Sequence, residues 1–225
     1  ILECMRAHNV RKIIYAASAS CYGLTNKFPT KETEKIDTAY PYAFSKYLSE
    51  LAIIHWAKVY GIKFISLRLF NVYGLRSRTT GAYGAVMGVF LKQKLSNKPF
   101  TVVGDGNQLR DFVNVKDVAK AFFKAGFSKV SNKILNVGTS SPQSINRLVS
   151  LLGGKTIKIL KRPGEPDKSQ AGIKKIKKYL NWQPNIDFKD GVDELKKNII
   201  HWKTAPLWTS KKISKATKEW FKYLK

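Results

Sequence analysis

Tyr42 and Lys46 are a pair of residues whose types and spacing suggest acid–base chemistry. They stand four positions apart, a spacing that places two side chains on the same face of a helix. An ammonium group close to a phenol favours the phenolate and lowers a tyrosine pKa that is normally about 10. A lysine-rich helix also produces this spacing by chance. At the end of a strand in an α/β sheet, however, the Tyr–Lys spacing predicts a tyrosine that acts as a base near neutral pH.

An apolar segment upstream supplies that setting. Residues 11–17 are typical of a buried strand in a parallel sheet, and Ser18 follows directly. Ligands of open α/β sheets bind outside the carboxyl ends of the strands. The Ser18 hydroxyl can therefore hydrogen-bond the same substrate oxygen that Tyr42 would deprotonate. Ser18, Tyr42 and Lys46 together predict one catalytic site.

The rest of the chain alternates between strand and helix patterns, which is typical of an α/β fold. Apolar runs predict further strands over residues 63–70, 100–103 and 133–138. Apolar residues at helical spacing predict helices over residues 42–60, 85–95, 145–152, 189–202 and 214–224, and a helix that opens at residue 115. Ser144 is a good N-cap for the helix at 145.

Several motifs, in a fixed order, carry a family resemblance. They are Ser18-Ala19-Ser20-Cys21-Tyr22-Gly23, Tyr42 to Lys46, Arg68 to Gly74, Gly104-Asp105-Gly106, Arg110-Asp111-Phe112, Val115 to Val118, and Arg162 to Asp167. With these motifs the chain resembles the extended short-chain dehydrogenase/reductase family, specifically the NAD-dependent nucleotide-sugar epimerases and dehydratases. The resemblance extends from residue 1 to about residue 200.

The resemblance implies the C-terminal part of a Rossmann-type doubly wound parallel sheet with a smaller α/β substrate-binding lobe. We expect the remainder of the NAD-binding domain at 1–75, a substrate lobe interleaved with late Rossmann elements at 76–205, and a helical extension at 206–225. The family begins with a strand, a Gly-rich turn and a helix that hold the dinucleotide pyrophosphate. The sequence shows no such pattern, and Gly104-Asp105-Gly106 alone is a weak substitute. We therefore expect an N-terminally truncated member that is inactive by itself.

The resemblance also implies roles for individual residues. Arg110 and Arg162 match arginines that clamp the substrate pyrophosphate, a task suited to the guanidinium group. A small residue at Ser169 resembles members that accept N-acetylhexosamines as well as hexoses. The implied catalytic residues are Ser18, Tyr42 and Lys46; the implied NAD contacts are Ala16, Ala17, Tyr42, Lys46 and Phe70; and the implied substrate contacts are Ser18, Asn71, Arg110, Arg162, Glu165 and Ser169.

The residues after the catalytic serine distinguish between reactions of the family. Dehydratases of the family carry Asp-Glu there, whereas this chain has Ala19 and Ser20. The resemblance therefore implies 4-epimerisation of a UDP-hexose or UDP-N-acetylhexosamine, in which Tyr42 takes the C4 hydroxyl proton and hydride passes to NAD and back. The alternatives are a nucleotide-sugar reductase or dehydratase, and a catalytically inert basic binding module.

The formal charge of +26 favours a different class, because strongly basic domains often bind nucleic acid. Most of the basic residues are lysines scattered through predicted helices rather than interleaved with stacking aromatics. Nucleic acid is therefore an unfavoured partner, and a positive field would also steer a nucleotide diphosphate to the protein.

Composition restricts the remaining classes. The two cysteines, Cys4 and Cys21, suggest no disulfide framework, and we expect both to be buried in a protein of the reducing cytoplasm. No apolar run is long enough to cross a membrane, and no histidine spacing supports a metal site. A homodimer is expected by resemblance. Trp202, Trp208, Trp220 and Phe221 form an aromatic tail that we expect to pack on the sheet or on a second subunit.

Overall fold

The computed structural model describes residues 1–77, 79, 86–161 and 163–223, and within them the fold is α/β. The described strands are β1 (Lys12–Ser18), β2 (Lys63–Leu69), β3 (Asn71–Tyr73), β4 (Phe100–Val103), β5 (Leu109–Arg110), β6 (Phe112–Asn114), β7 (Lys133–Val137), β8 (Gln143–Ser144) and β9 (Thr156–Ile159). The described helices are α1 (Leu2–Ala7), α2 (Pro41–Tyr60), α3 (Val86–Leu95), α4 (Val115–Phe127), α5 (Ile145–Leu152), α6 (Lys174–Leu180), α7 (Phe188–Lys197), α8 (Ser210–Ala216) and α9 (Lys218–Tyr223). Short 3₁₀ helices occupy Ala19–Tyr22 and Ile199–Trp202.

Strands β1, β2 and β7 form a parallel sheet with β2 in the centre. Both faces of the central strand are buried, with Ile65 and Leu67 on one face and Ser66 and Arg68 on the other. Ser18, Leu69 and Val137 are in register, so the three strands end at the same edge. The sheet therefore brings the predicted serine to the edge where ligands of such folds bind.

Helix α2 begins and ends with residues suited to those positions. Pro41 occupies the first turn, where its fixed φ suits a helix and its missing N–H is not needed. Gly61 ends the helix in the left-handed conformation, with φ of 68°. These limits confirm the predicted helix and place Tyr42 in its first turn, one turn before Lys46.

A buried ion pair fixes α2 against the central strand. Arg68 of β2 donates to Glu50 of α2 with an Nη2–Oε1 distance of 2.5 Å, and Ser66 Oγ donates to the same carboxylate at 2.5 Å. Burial disfavours the charged guanidinium and is the largest single effect, but the hydrogen bond to Glu50 and the charge interactions with Tyr22, Cys21 and Glu50 together outweigh it, so the pKa of Arg68 is raised. Removing one partner of such a pair leaves an uncompensated buried charge. The pair therefore fixes the middle of α2 against β2.

A second hydrophobic cluster packs around the parallel pairs β3–β6 and β4–β9. Its aromatic centre contains Tyr73, Phe112 and Phe188, with the last two rings stacked at a centroid distance of 5.2 Å. The cluster extends from β3 to the 3₁₀ helix at Ile199–Trp202. The predicted domain boundaries at 75 and 205 stay predictions.

The structure corrects the two C-terminal helix predictions. The helix predicted over 189–202 ends at Lys197, where the Asn198 side chain donates to the Glu194 carbonyl and competes with the main-chain pattern. The helix predicted over 214–224 is instead α8 and α9, which meet at Thr217. Thr217 Oγ1 donates to the Ile213 carbonyl, an interaction that often bends helices.

The cysteine prediction is half correct. Cys21 is buried, and burial raises the pKa of its thiol to about 11. Cys4 is exposed, because the short helix α1 buries only Met5. Among the described helices, none is long and apolar enough to cross a membrane.

Candidate active site

A cavity of about 590 Å³ opens at the carboxyl ends of β1 and β2. Some of the predicted catalytic residues and some of the predicted substrate-binding residues line this cavity. These lining residues are Ser18, Tyr42, Phe70, Asn71, Arg110, Glu165 and Ser169. The fold therefore brings together residues that are up to 151 positions apart in the chain.

Ser18 is oriented by the turn that follows it. Its Oγ caps the 3₁₀ helix, accepting from Ser20 N at 3.2 Å and from Ser20 Oγ at 2.8 Å. Because its oxygen accepts both bonds, its own O–H can be donated to a ligand in the cavity. Tyr42 also lines this cavity and is 48% exposed, so its phenol is accessible to a ligand.

Lys46 lies one helical turn after Tyr42 and contacts the end of β1. Its Nζ donates to the Ala16 carbonyl at 3.2 Å, and it lies 5.6 Å from the centroid of the Tyr15 ring. Tyr15 in turn donates to the Lys46 carbonyl at 3.1 Å. Lys46 is not among the described residues that line the cavity. The charge is held beside the strand end, and its predicted effect on the Tyr42 phenol stays a prediction.

Asn71 and Ser169 are hydrogen-bonded to each other across the cavity. Ser169 Oγ donates to Asn71 Oδ1 at 3.0 Å and accepts from the Asp111 N–H at 3.1 Å. Two of the predicted substrate contacts, Asn71 and Ser169, therefore form one polar unit. A ligand that binds Asn71 will therefore also lie close to the residue at position 169, and the size of that residue will limit the space for the ligand.

Arg110 and Glu165 form an ion pair within the same wall. The Nη2–Oε1 distance is 3.0 Å, and the Arg110 residue is only 8% exposed. Arg110 Nη1 also donates to the Leu109 carbonyl at 3.0 Å, which orients the guanidinium group. An oriented, mostly buried guanidinium is suited to bind a phosphate group. Arg162, the other predicted arginine, lies outside the described residues.

Asp111 is a buried anchor for this site to which the sequence analysis assigns no role. Its carboxylate accepts from Thr139 N and Oγ1, both at 2.6 Å, from Ser140 N at 2.9 Å and from Ala171 N at 2.7 Å. It joins the loop after β7 to the segment that carries Ser169. Its place within the Arg110-Asp111-Phe112 motif was a signal that could have identified it.

Two residues of the aromatic tail, Trp208 and Trp220, line the cavity, and the expectation that the tail packs on the sheet or on a second subunit stays a prediction. Residues of the last helices and the loop before them line the cavity: Trp208, Ile213, Ala216, Thr217 and Trp220. Trp202 packs in the second hydrophobic cluster. Sequence periodicity could not place these residues, because it does not report which distant surface a terminal helix contacts.

The residues predicted to contact NAD cluster at one end of the sheet. Ala16 and Ala17 end β1, Phe70 follows β2, and Lys46 is tied to the Ala16 carbonyl. Phe70 and Tyr42 line the cavity, whereas Ala16, Ala17 and Lys46 are not among its described lining residues. Their common place at the strand end is compatible with the nicotinamide ribose, and the NAD contacts stay predictions. The sequence shows no Gly-rich strand–turn–helix pattern to fit the dinucleotide pyrophosphate.

Known proteins similar to this chain include several that are named as nucleotide-sugar epimerases. A putative UDP-glucose 4-epimerase of Methanocaldococcus jannaschii is 38% identical over 209 residues, which cover 90% of this chain and 66% of that protein. A UDP-glucuronate 4-epimerase of Thermodesulfobacterium geofontis is 31% identical over 212 residues, which cover 90% and 62%. The chain thus spans slightly less than two thirds of the length of these relatives.

Solved structures show the same likeness. The UDP-N-acetylglucosamine 4-epimerase of Methanobrevibacter ruminantium, in complex with UDP-N-acetylmuramic acid, superposes with a TM-score of 0.83 at 30% identity, covering 88% of this chain and 66% of the other. The UDP-glucose 4-epimerase of Thermotoga maritima with UDP-glucose gives a TM-score of 0.80 at 31% identity, covering 88% and 67%. Residues 1–138 match the sequence pattern of one family. The chain belongs to the NAD-dependent epimerase/dehydratase family.

Proposed function

We propose that this chain carries the catalytic and substrate-binding part of a nucleotide-sugar 4-epimerase, acting on a UDP-hexose or UDP-N-acetylhexosamine. One observation carries the proposal: Ser18 and Tyr42 line the same cavity as the Arg110–Glu165 pair. The cavity thus combines groups for proton transfer with groups for a nucleotide diphosphate. The names of the similar proteins, which are epimerases of UDP-sugars, support this choice of substrate.

The proton steps belong to residues at the end of β1. Tyr42 removes the proton from the C4 hydroxyl of the sugar, and Ser18 donates a hydrogen bond to the same oxygen. Lys46, held at the Ala16 carbonyl, keeps a positive charge near the phenolate. After the 4-keto sugar turns over in the site, Tyr42 returns the proton to the oxygen on the other face of the ring.

Cofactor and substrate are held by different sets of residues. NAD, when bound, supplies the hydride acceptor and donor at C4. Ala16, Ala17, Tyr42, Lys46 and Phe70 would hold its nicotinamide ribose end. On the substrate side, Arg110 and Arg162 bind the diphosphate, Glu165 the nucleotide ribose, and Asn71 the sugar diphosphate. Ser169 leaves room at C2 of the sugar.

Epimerisation is preferred to dehydration because of the residues in the turn after β1. Elimination of water from a 4-keto sugar requires an acid and a base. Ala19 supplies neither, and the Ser20 hydroxyl donates to Ser18 Oγ at 2.8 Å. The local hydrogen-bond pattern therefore supports Ser18 rather than providing a second acid–base pair.

Product analysis tests the proposal. The enzyme expressed from its full reading frame is incubated with NAD and with UDP-glucose or UDP-N-acetylglucosamine, and the sugars are separated by chromatography. We expect conversion to the corresponding UDP-galactose-type sugar without net change in absorbance at the NADH wavelength. A reductase would change the amount of NADH in proportion to product. Binding without turnover in the presence of NAD would favour the inert binding module.

We also propose that the protein is a homodimer that pairs through α2. Four apolar side chains recur at helical spacing on this helix and remain 42–54% exposed: Phe44, Leu48, Leu51 and Val59. An exposed apolar stripe of this kind is typical of a protein interface. A cytoplasmic location is part of the same proposal and is supported by the two free cysteines.

Charge substitutions in the stripe test the dimer. Leu48→Glu together with Leu51→Glu is expected to convert a dimer to a monomer, because two carboxylates would be buried at the interface. Light scattering coupled to size-exclusion chromatography measures the mass. Lys58→Glu, a change of charge on the same helix without loss of an apolar side chain, is the control. A wild-type monomer, or a double variant that remains dimeric, would contradict the proposal.

A further inference from the structure

The C-terminal segment from Trp208 to Trp220 contributes mostly apolar side chains to the lining of the cavity. Trp208, Ile213, Ala216, Thr217 and Trp220 contribute to the lining. The charged side chains in the lining, among the described residues, are Arg110, Glu165 and Lys168. The cavity lining thus combines aromatic and aliphatic side chains with hydrogen-bonding and charged groups.

This segment is attached to the rest of the molecule at several points. Gln93 Nε2 donates to the Trp208 carbonyl at 2.7 Å and to Thr101 Oγ1 at 2.9 Å. Trp208 Nε1 donates to the Thr79 carbonyl at 3.0 Å. Thr217 is only 3% exposed, so the junction of α8 and α9 is packed. The segment is therefore a built part of the site rather than a loose chain end.

Trp220 connects the two functional ends of the cavity. Its indole N–H donates to the Pro163 carbonyl at 2.7 Å, immediately before the segment that carries Glu165. Its ring lies 5.7 Å from the centroid of Tyr40, and Tyr40 stacks on Tyr42 at 6.4 Å with an interplanar angle of 12°. One aromatic ring, that of Tyr40, thus separates Trp220 from the proposed base, and the hydrogen bond of Trp220 to Pro163 is two positions before Glu165.

A hexose is polar at its edges and apolar on the faces of its ring. Its hydroxyl groups require hydrogen-bond partners, whereas the C–H groups of its ring faces are apolar and can pack on an aromatic ring. The polar lining residues can serve the hydroxyls and the diphosphate, and the Trp220 indole can serve a ring face. Such packing selects ligands by shape, because a hydrophobic wall excludes sugars whose substituents are too large for the space beside it.

We propose that Trp220 is a specificity-determining residue of this site, whose indole packs on the apolar face of the sugar and limits the room beside it. The inference rests on the proposed function and adds to it a residue that lies beyond the family motifs. Trp220 takes no part in proton transfer. It acts on substrate binding and leaves the chemical step to Tyr42 and Ser18.

Kinetics of Trp220→Ala in the enzyme expressed from its full reading frame test the inference. We expect KM for the preferred UDP-hexose to rise about tenfold, with kcat within about twofold, because a hydrophobic contact is lost on binding. Discrimination between UDP-hexose and UDP-N-acetylhexosamine, measured as a ratio of kcat/KM, should fall by a similar factor. Phe221→Ala is the matched control, since Phe221 follows on the same helix and is not among the described lining residues.

The possible results separate this inference from the proposed function. If wild type epimerises UDP-sugars and Trp220→Ala matches Phe221→Ala in KM and discrimination, the inference is wrong and the function stands. If wild type turns over no UDP-sugar, the proposed function is wrong and the inference fails with it. Trp220→Phe provides a second measurement that does not require the alanine variant to fold. UDP-hexose should quench tryptophan fluorescence in wild type and markedly less in Trp220→Phe, and equal quenching would contradict the inference.

Discussion

Replacing Tyr42 by Phe is expected to lower kcat for 4-epimerisation by about 10²–10⁴-fold, because the variant retains the ring and loses the group that accepts the proton. Binding of the UDP-sugar should change little, since the phenol ring stays in the cavity and the Arg110–Glu165 pair is untouched. The measurement is kcat from product chromatography together with the dissociation constant from calorimetry, both with the enzyme expressed from its full reading frame.

Tyr60→Phe is the matched control for this variant. Tyr60 ends the same helix and is 43% exposed, and it is not among the described residues that line the cavity. It should keep wild-type kcat. If Tyr42→Phe epimerises at more than a tenth of the wild-type rate, another group carries the proton and the assignment of Tyr42 is wrong. If Tyr42→Phe also loses UDP-sugar binding, the phenol hydroxyl serves binding rather than proton transfer.

The sequence could predict the elements around Tyr42 because local rules define them. Pro41 and Gly61 mark the ends of α2, and apolar runs mark β1 and β2. Parallel pairing then brings Ser18 to the sheet edge without further information. For the same reason Ser144 could be predicted as a cap, and its Oγ accepts from Arg147 N at 3.0 Å.

Other features depend on contacts between distant segments, which periodicity does not report. The hydrogen bond between Ser169 and Asn71 spans 98 positions, and that between Trp220 and Pro163 spans 57. The short strand β9 alternates polar and apolar residues, but its pairing with β4 joins segments 56 positions apart and cannot be derived from that local pattern. The division of the last helix at Thr217 depends on a side-chain bond that competes with the main chain. Such features follow from tertiary packing rather than from local propensity.

Asp111 also depends on contacts between distant segments. Its buried carboxylate connects the segments that carry the site. It is fully buried, and it accepts from the main-chain N–H groups of Thr139, Ser140 and Ala171 as well as from the Thr139 hydroxyl. Asp111→Asn keeps the shape but replaces one acceptor oxygen by a donor. We expect the free energy of unfolding to fall by about 3 kcal/mol, since buried N–H groups lose a charged acceptor. Urea unfolding measures this loss.

Asp190→Asn is the control for this prediction, because Asp190 is an exposed carboxylate in the first turn of α7 and its removal should cost less than about 1 kcal/mol. The two variants should also differ in function. The Asp111 N–H donates to Ser169 Oγ, and Arg110 precedes it, so a shift of this segment should raise KM for the UDP-sugar more than it lowers kcat.

Gly138 offers an independent test of the same junction. A Cβ at this position would lie 2.5 Å from Ala171 Cβ and 3.0 Å from Asp111 Oδ2. Gly138→Ala should therefore separate the segments that Asp111 joins while leaving the carboxylate in place, and it should raise KM in the same direction. If Asp111→Asn is no less stable than Asp190→Asn, or if neither junction variant changes KM, then Asp111 does not position the substrate wall. A rise in KM for both Asp111→Asn and Gly138→Ala would instead establish that the buried Asp111 carboxylate positions Ser169 and, through it, the substrate.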